Sequence, residues 1–319
     1  MIKKRFISML VLLAAVVTGA VAQTTYKVSV KEGTEDATSW TIAPAEATTT
    51  GVAAGTTVTA TYSGMKRVKS VKAVKKAAEE PVTLATPLTI EAVTPGTIVV
   101  NMTGELSTGM KYSVNGGTKT FITTTTSIEG LKAGDKVQFY GNGTQTQVYG
   151  GDIEVKIKGS GDGFKTKVYG NIMSLLDEEG FATKTNLPNA NYVFYGLFKG
   201  NTTLIDASEL LLPATTLTGG CYYSMFAGCS SLTTAPKLPA KTLADYCYYC
   251  MFSGCNSLTN AYVKAAYTGG NAECSGMFDG CTATGAVLHI ALGSKASWES
   301  KMGSDKDWSN WTVAVDWKD

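Results

Sequence analysis

The 319-residue sequence contains a single histidine, His289, and only 17% of its residues are charged. One histidine removes most histidine-based catalysis and the metal sites that take several imidazole ligands. With 28 basic and 26 acidic residues, the formal net charge is +2, so no overall field attracts nucleic acid. A carboxylate pair for glycoside cleavage stays open in principle, although no particular pair is indicated. The sequence predicts no catalytic residues, no metal, no cofactor and no nucleic-acid partner, in a protein that is not an enzyme.

Long apolar runs are missing after the first 22 residues. That first stretch has basic residues at positions 3–5, an apolar run over residues 6–17, and then Ala20-Val21-Ala22. This order is typical of a secretory signal peptide cut after Ala22, residues 1–22, and an uncleaved anchor is the less favoured alternative. We expect export through the general secretory pathway to the cell surface, the extracellular space or the periplasm. The mature chain is predicted to have no transmembrane segment.

The N-terminal half is predicted to be all β. Residues 23–80 read as a small β domain whose basic segment, with six Lys and Arg between Lys66 and Lys76, is interpreted as a strand edge and linker. An electrostatic patch for anionic surfaces is the alternative for that segment. Residues 84–158 contain short alternating strands and a hairpin signal at Asn115-Gly116-Gly117. They predict an immunoglobulin-like sandwich.

The last third of the sequence repeats one motif. It stands as CYYSMFAGCSSL at residues 221–232, as CYYCMFSGCNSL at 247–258, as a degraded ECSGMFDGCTAT at 273–284, and as a cysteine-free VFYGLFKGNTTL at 193–204. The matched phenylalanines, at 198, 226, 252 and 278, are 28, 26 and 26 residues apart. A fixed period of this length indicates a solenoid, whose units must stack to bury their apolar faces. Residues 164–319 are therefore predicted to form a solenoid, with tryptophans of the last dozen residues as its C-terminal cap.

Each repeat is predicted to be a helix, a turn and a strand. In the clearest copy Pro239 suits the first helical turn, and Gly254 suits a left-handed stop. A strand is expected over residues 256–261. The apolar stripe of the helix takes positions i, i+3, i+4, i+7 and i+8, which are Leu243, Tyr246, Cys247, Cys250 and Met251.

All seven cysteines lie in the repeats. Cys229, Cys255 and Cys281 each follow the repeat phenylalanine by three residues, where Asn201 stands in the first unit. We interpret these four residues as a buried structural ladder, with the cysteines as thiols. Disulfides between adjacent coils stay open, because stacked strands bring equivalent residues to about 5 Å. Zinc binding by Cys247-x-x-Cys250 is disfavoured, since no second pair stands at the required spacing.

Tyr195, Tyr223 and Tyr249 occupy the same position in successive repeats, outside the apolar stripe. They are the candidate binding residues, because tyrosine offers contact area at low entropic cost. The alternative, that these rings only pack against each other or against the preceding turn, stays open.

The units LLPATTLTGGCYYSMFAGCSSL (residues 211–232) and LPAKTLADYCYYCMFSGCNSL (residues 238–258) resemble the BspA-like leucine-rich-repeat surface proteins of Bacteroidales. The resemblance implies an exported surface protein whose repeats bind proteins or other macromolecules. The predicted fold is multidomain, with N-terminal all-β modules followed by a short α/β leucine-rich-repeat-type solenoid and a C-terminal cap. The expected function is adhesin-like contact with a host or bacterial surface protein or glycan. The alternative is a non-catalytic assembly component of the cell envelope or of a fimbria-like structure, with self-association.

Overall fold

The computed structural model describes residues 81–103, 109–123, 125–143, 153–269, 272–304, 308 and 310–317, together with the backbone of further strands. The chain divides into two compact units, Met1–Pro81 and Val82–Asp319. No helix within the described residues is long and apolar enough to cross a membrane.

The first unit contains two antiparallel sheets. One has the order β1–β2–β3 with β5 also on β2, and the other has the order β4–β6–β7. Strand β1 falls within the predicted signal peptide and β7 within the basic segment, and the other residues of both segments lie outside the described residues. The strands are β1 (Met9–Val16), β2 (Thr25–Glu32), β3 (Glu35–Asp36), β4 (Trp40–Ala43), β5 (Val52–Ala53), β6 (Thr57–Tyr62) and β7 (Lys69–Val74).

The second unit is also mostly β, with few helices. Two 3₁₀ helices cover Ile172–Leu175 and Phe181–Thr183, and one α-helix, α1, covers Lys295–Ser304. The strands are β8 (Thr89–Ala92), β9 (Gly96–Thr103), β10 (Lys111–Val114), β11 (Thr120–Phe121), β12 (Thr125–Leu131), β13 (Lys136–Tyr140), β14 (Tyr149–Gly150), β15 (Ile153–Ser160), β16 (Thr166–Asn171), β17 (Leu204–Asp206), β18 (Leu210–Leu211), β19 (Thr234–Leu238), β20 (Asn260–Val263), β21 (Ala286–Ile290) and β22 (Trp311–Val315).

Two sheets face a shared core at the start of this unit. The smaller has the antiparallel order β12–β9–β15–β14, and the larger begins β11–β10–β13–β8–β16. Alternate residues of β9, namely Ile98, Val100 and Met102, are buried, as the two-residue period of a half-covered strand requires. Because β8 pairs antiparallel with β16 over four residues, the larger sheet continues directly into the repeats. An immunoglobulin-like module over residues 84–158 stays a prediction.

The repeats form a β-solenoid. After β16, the larger sheet continues with parallel strands in the order β17–β19–β20–β21–β22. Strands β17, β19, β20 and β21 belong to successive coils, which makes about four coils. The prediction of a solenoid over the repeats is confirmed, although its strands start later than expected: β20 is Asn260–Val263 instead of residues 256–261.

The helix predicted in each repeat is wrong. Residues 192–201, 220–229, 246–255 and 272–281 form overlapping turns, which we call the stacked turns. In the third coil the N–H of Met251 donates to the carbonyl of Tyr248 (3.1 Å), three residues back, whereas the N–H of Phe252 donates to Met277 of the next coil (2.9 Å). Positive φ recurs every fourth residue, at Tyr246, Cys250 and Gly254, which no α-helix accommodates.

The pattern of burial explains why the sequence of the stacked turns resembles that of a helix. In the second coil the buried apolar residues are 221–222, 225–226 and 229, so they recur every four residues. Two such cycles span eight residues, against about 7.2 for two turns of an α-helix. Over so short a segment the two periods coincide at Cys247 and Met251, which are buried, but Tyr246 and Cys250 of the predicted stripe are exposed and half-buried. The left-handed conformation predicted for Gly254 is present, with φ of 73°, but it closes a turn and not a helix.

Tryptophans cover the far end of the solenoid. Trp311 stacks on Phe278 with ring centroids 4.1 Å apart, and Trp308 meets the same ring edge-on at 4.8 Å. Trp298, in α1, is buried and donates from its indole N–H to the carbonyl of Ala265 (2.9 Å). Trp317 lies instead near the ammonium groups of Lys237 and Lys264, 5.6 and 5.9 Å from its ring centre.

Candidate functional site

Equivalent residues of successive coils stack into columns. The repeat phenylalanines form one buried column, with ring centroids 5.4, 5.5 and 5.7 Å apart and interplanar angles of 22°, 12° and 8°. Phe194, Tyr222 and Tyr248 form a second buried column at 5.8 and 6.1 Å. These contacts fix the register between coils, so each outward position also recurs in a row along the solenoid axis.

A column of glycines ends the stacked turns. Gly200, Gly228, Gly254 and Gly280 have φ values of 72°, 76°, 73° and 70°. A side chain is strained in this left-handed region, which explains why every repeat has glycine here. The N–H of Gly228 donates to Ser253 of the next coil at 2.6 Å, so each glycine also continues the hydrogen bonding between coils.

The predicted structural ladder joins the coils through their backbones. The Sγ atoms of Cys229, Cys255 and Cys281 donate to the carbonyls of the repeat phenylalanines in the preceding coils, at 3.1, 3.2 and 3.1 Å. Asn201 has no coil before it and bonds to β15 instead: its Nδ2 donates to Ile157 (3.4 Å), and its Oδ1 accepts from the N–H of Gly159 (3.3 Å). At this position an amide therefore makes the hydrogen bond at the start of the array, and a thiol makes it within the array.

Every cysteine of the chain is a free thiol. Burial raises the pKa of Cys229 and of Cys281 to about 12, and that of Cys255 well above its ordinary value. A protonated thiol can donate to a carbonyl, as the ladder requires, and it is a poor nucleophile and metal ligand. Within the described residues no group of three or more His, Cys, Asp and Glu is placed to hold a metal ion.

The three candidate binding tyrosines lie side by side. Ring centroids of Tyr195 and Tyr223 are 5.1 Å apart, and those of Tyr223 and Tyr249 are 4.6 Å apart, with interplanar angles of 33° and 28°. All three are half-buried. Because the rings stack along the solenoid axis, much of each face is covered by the next ring. Their edges and hydroxyls point away from the core.

Two further tyrosines, Tyr192 and Tyr246, complete this surface, and the sequence reasoning did not single out either as a binding residue. Their exposed fractions are 37% and 42%. Tyr192 meets Tyr195 and Tyr223 edge-on, at 6.0 and 6.1 Å, while Tyr246 is tilted by 55° against Tyr249 at 5.8 Å. The sequence does contain a signal for them, since each stands three residues before one of the candidate binding tyrosines. We call these five residues, Tyr192, Tyr195, Tyr223, Tyr246 and Tyr249, the tyrosine surface.

Two hydroxyls of this surface have pKa values above the ordinary one of tyrosine. Burial raises the pKa of Tyr223 to about 12. The neighbouring Cys250, followed by burial, raises the pKa of Tyr249. Protonated phenols donate and accept hydrogen bonds, so the tyrosine surface offers both apolar area and polar groups.

The lone histidine lies on the strand side of the solenoid. His289 Nδ1 is 2.8 Å from a carboxylate oxygen of Asp316, its Nε2 is 3.1 Å from Oδ1 of Asn260, and its ring stacks on Tyr262 at 4.3 Å. Next to Asp316, the N–H of Trp317 donates to Ile290 at 3.1 Å. These contacts fasten the chain after β22 to the sheet.

The tyrosine surface and the other outward-facing positions are the parts of the solenoid that a ligand could contact. Comparison of the chain with protein-family models, with curated proteins and with solved structures finds no match.

Proposed function

We propose that this protein is an exported binding protein, at the cell surface or secreted, that uses its short solenoid for adhesin-like contact with a protein or a glycan. The observation that carries the proposal is the tyrosine surface. Five tyrosines from three successive coils meet on one side of the stacked turns. Grouped surface tyrosines are typical of binding sites, because a rigid ring gives a large contact area for two rotatable bonds.

The scaffold under this surface supports the proposal. Backbone hydrogen bonds join neighbouring coils at every second residue of the stacked turns, as from Tyr222 to Cys247 (3.1 Å) and from Ser224 to Tyr249 (2.9 Å). A surface that is ordered before it meets a ligand loses little entropy on binding.

The proposed location rests on the N-terminal sequence. Residues 1–22 have the order of a secretory signal peptide, and the resemblance of the repeats to BspA-like proteins points to the same compartment. In this proposal the β-rich residues before the repeats, including an immunoglobulin-like part over residues 84–158, hold the solenoid away from its attachment point.

The proposal is tested by binding panels. The secreted chain is offered to a glycan array and to immobilised extracellular-matrix proteins, next to the double variant Tyr223→Ala/Tyr249→Ala. We expect at least one ligand whose affinity falls about tenfold in the variant, which corresponds to the loss of about 1.4 kcal/mol. Phe121→Ala, which removes an exposed ring on β11, is the matched control and should bind as the parent does. Empty panels for the parent chain would contradict the proposal.

An assembly component is the second candidate function, and one observation favours it. Among the described residues no strand pairs with the outer edge of β22, and Val315 of that strand is 41% exposed. Open edges are templates for strand addition by another chain. Concentration-dependent association in light scattering, with no external ligand, would favour this candidate. A monomer at all concentrations would count against it.

A further inference from the structure

We propose that the tyrosine surface binds a neutral β-linked glycan whose chain runs parallel to the solenoid axis. This inference rests on the proposed binding function and names its ligand class.

The surface is too small for a protein interface of ordinary size. It spans three coils, which at about 4.8 Å each give a height of about 15 Å. A stable interface buries about 800 Å² on each partner, so a footprint of that height would have to be about 50 Å wide. Residues 191–199, which cross the surface within one coil, reach at most about 30 Å even if fully extended. In compact turns they reach less. An oligosaccharide fits such a narrow strip.

The ring orientations suit a ligand that lies along the axis. The three stacked tyrosines, Tyr195, Tyr223 and Tyr249, cover one another's faces. Tyr192 is turned by 82° against Tyr195, and Tyr246 by 55° against Tyr249. The ring of Tyr192 lies against the bare backbone of Gly220, where a Cβ atom would come within 2.4 Å of two ring carbons. Tyr192 thus lies across the next coil and leaves ring surface open to solvent. The C–H face of a pyranose packs on the electron-rich face of such a ring.

The coil spacing beneath these two rings matches an extended sugar chain. Tyr192, Gly220 and Tyr246 occupy the same position in three successive coils, so the backbone positions of Tyr192 and Tyr246 are about 10 Å apart along the axis. A β-1,4-linked chain is extended and advances by about one coil height per sugar, with alternate sugars in the same orientation. A chain that lies along the axis therefore keeps in step with the coils and repeats its orientation over the distance between the two positions.

The polar neighbours favour hydroxyl groups and disfavour a negatively charged ligand. Asn191 and Asp245 directly precede the two exposed tyrosines, while Lys199 lies next to Gly196 and Asp279 next to Gly276. A Cβ placed on Gly276 would be 2.7 Å from Asp279 Oδ2 and 2.9 Å from Cys250 Sγ, so this carboxylate reaches the position beside Tyr249. Carboxylates and amides accept hydrogen bonds from sugar hydroxyls. With one cation and two carboxylates, the flanks do not select a polyanion.

The experiment measures the binding of three hexasaccharides to the full secreted chain by calorimetry: β-1,4-linked glucose, β-1,4-linked N-acetylglucosamine and β-1,3-linked glucose. We expect one of the two β-1,4-linked hexasaccharides to bind, and its disaccharide to bind at least about tenfold more weakly because it covers fewer of the five rings. Tyr192→Gly and Tyr246→Gly should each weaken the hexasaccharide about tenfold. Glycine suits these sites, since their φ values are 57° and 59° and Gly220 has 61° at the equivalent position.

Controls separate this inference from the broader proposal. Phe121→Ala should leave glycan affinity unchanged, and the melting temperatures of all variants show that the solenoid stays folded. If no hexasaccharide binds, but a matrix protein binds the parent and loses affinity in Tyr246→Gly, the glycan inference is overturned and the proposed function stands. If neither class of ligand binds, both are overturned. Equal glycan affinity in the parent and in Tyr246→Gly would also refute the inference.

Discussion

At the scale of single residues, one position in the repeat accepts either asparagine or cysteine because both can donate to a backbone carbonyl. Asn201 donates to β15, and Cys255 donates to the preceding coil. This use of cysteine needs the protonated thiol, and burial keeps it protonated. The three cysteines at this position, which first suggest disulfide or zinc chemistry, are thus explained by packing and hydrogen bonding.

We expect the cysteines to be unreactive in the folded chain. Burial raises the pKa of Cys229 and Cys281 to about 12, so at pH 8 about one thiol in 10⁴ is the reactive thiolate. Six cysteines are buried and only Cys250 is partly accessible. Titration with a thiol reagent should therefore label at most one cysteine in the native protein and all seven after unfolding.

A matched variant controls this prediction. Cys250→Ala should remove the native labelling and leave six thiols to be labelled in denaturant. If the unfolded, unreduced parent protein instead yields five thiols or fewer, disulfides are present, and the assignment of free thiols is wrong.

At the scale of elements, the stacked turns replace the predicted helix because of where their hydrogen bonds go. An α-helix would satisfy its N–H groups within itself. Here alternate N–H groups, as in Tyr248 and Cys250, donate to Glu273 and Ser275 of the next coil. The turns therefore depend on their neighbours in the same way as the strands do, and both sides of the coil stack by backbone hydrogen bonds.

A second element, the segment after the first 3₁₀ helix, predicts an acid dependence of stability. The side chain of Lys184 and the N–H of Gly180 hold the pKa of Asp177 below its ordinary value, and Lys119 and Lys111 do the same for Glu178. A carboxyl group whose pKa is lowered by folding stabilises the protein above its unfolded pKa, about 4, and this contribution is lost as the pH falls through the folded value. The melting temperature should therefore fall steeply below pH 4.

Charge removal tests this origin. Glu178→Gln should lower the melting temperature at pH 7 and make its decline below pH 4 shallower, because the neutral amide has no proton to gain. Glu129→Gln, at an exposed position of β12, serves as the control and should reproduce the parent's profile. An unchanged decline in Glu178→Gln would refute the assignment to this ion pair.

At the scale of the whole second unit, the larger sheet ties the strands before the repeats to the solenoid. β8 pairs with β16 over four residues, and the N–H of Ile157 in β15 donates to Leu197 of the first coil at 2.8 Å. Solenoid coils depend on their neighbours for stability, so an array open at its first coil would be less stable. Strands β8 and β15 supply that first neighbour, and tryptophans cover the last coil.

We therefore expect residues 82–319 to unfold as one cooperative unit. Hydrogen exchange with mass spectrometry at increasing denaturant should show peptides from β9 and β15 losing protection at the same concentration as peptides from β20 and β21. Earlier loss of protection in β9 and β15 alone would show that residues 84–158 form an independent domain and would contradict this expectation.

The sequence alone determined the repeat, the solenoid and the columns. A spacing of 26 to 28 residues between equivalent phenylalanines requires units that stack, and stacked units place equal residues in rows. The hairpin at Asn115-Gly116 followed in the same way from local backbone preference, since both residues have positive φ, 53° and 70°. These features depend on residues that are adjacent in the chain or on residues that recur between repeats, and the sequence shows both directly.

Only the tertiary structure decided what each repeat is and which tyrosines face outward. The partners of the N–H groups in the stacked turns lie 25 to 27 residues away, so no local pattern separates these turns from a helix over eight residues. Tyr192 and Tyr246 belong to the tyrosine surface because their positions in the turns are left-handed, with φ of 57° and 59°. That conformation follows from the bonds to the next coil. The pairing of β8 with β16 likewise joins residues that are about 80 apart in the chain.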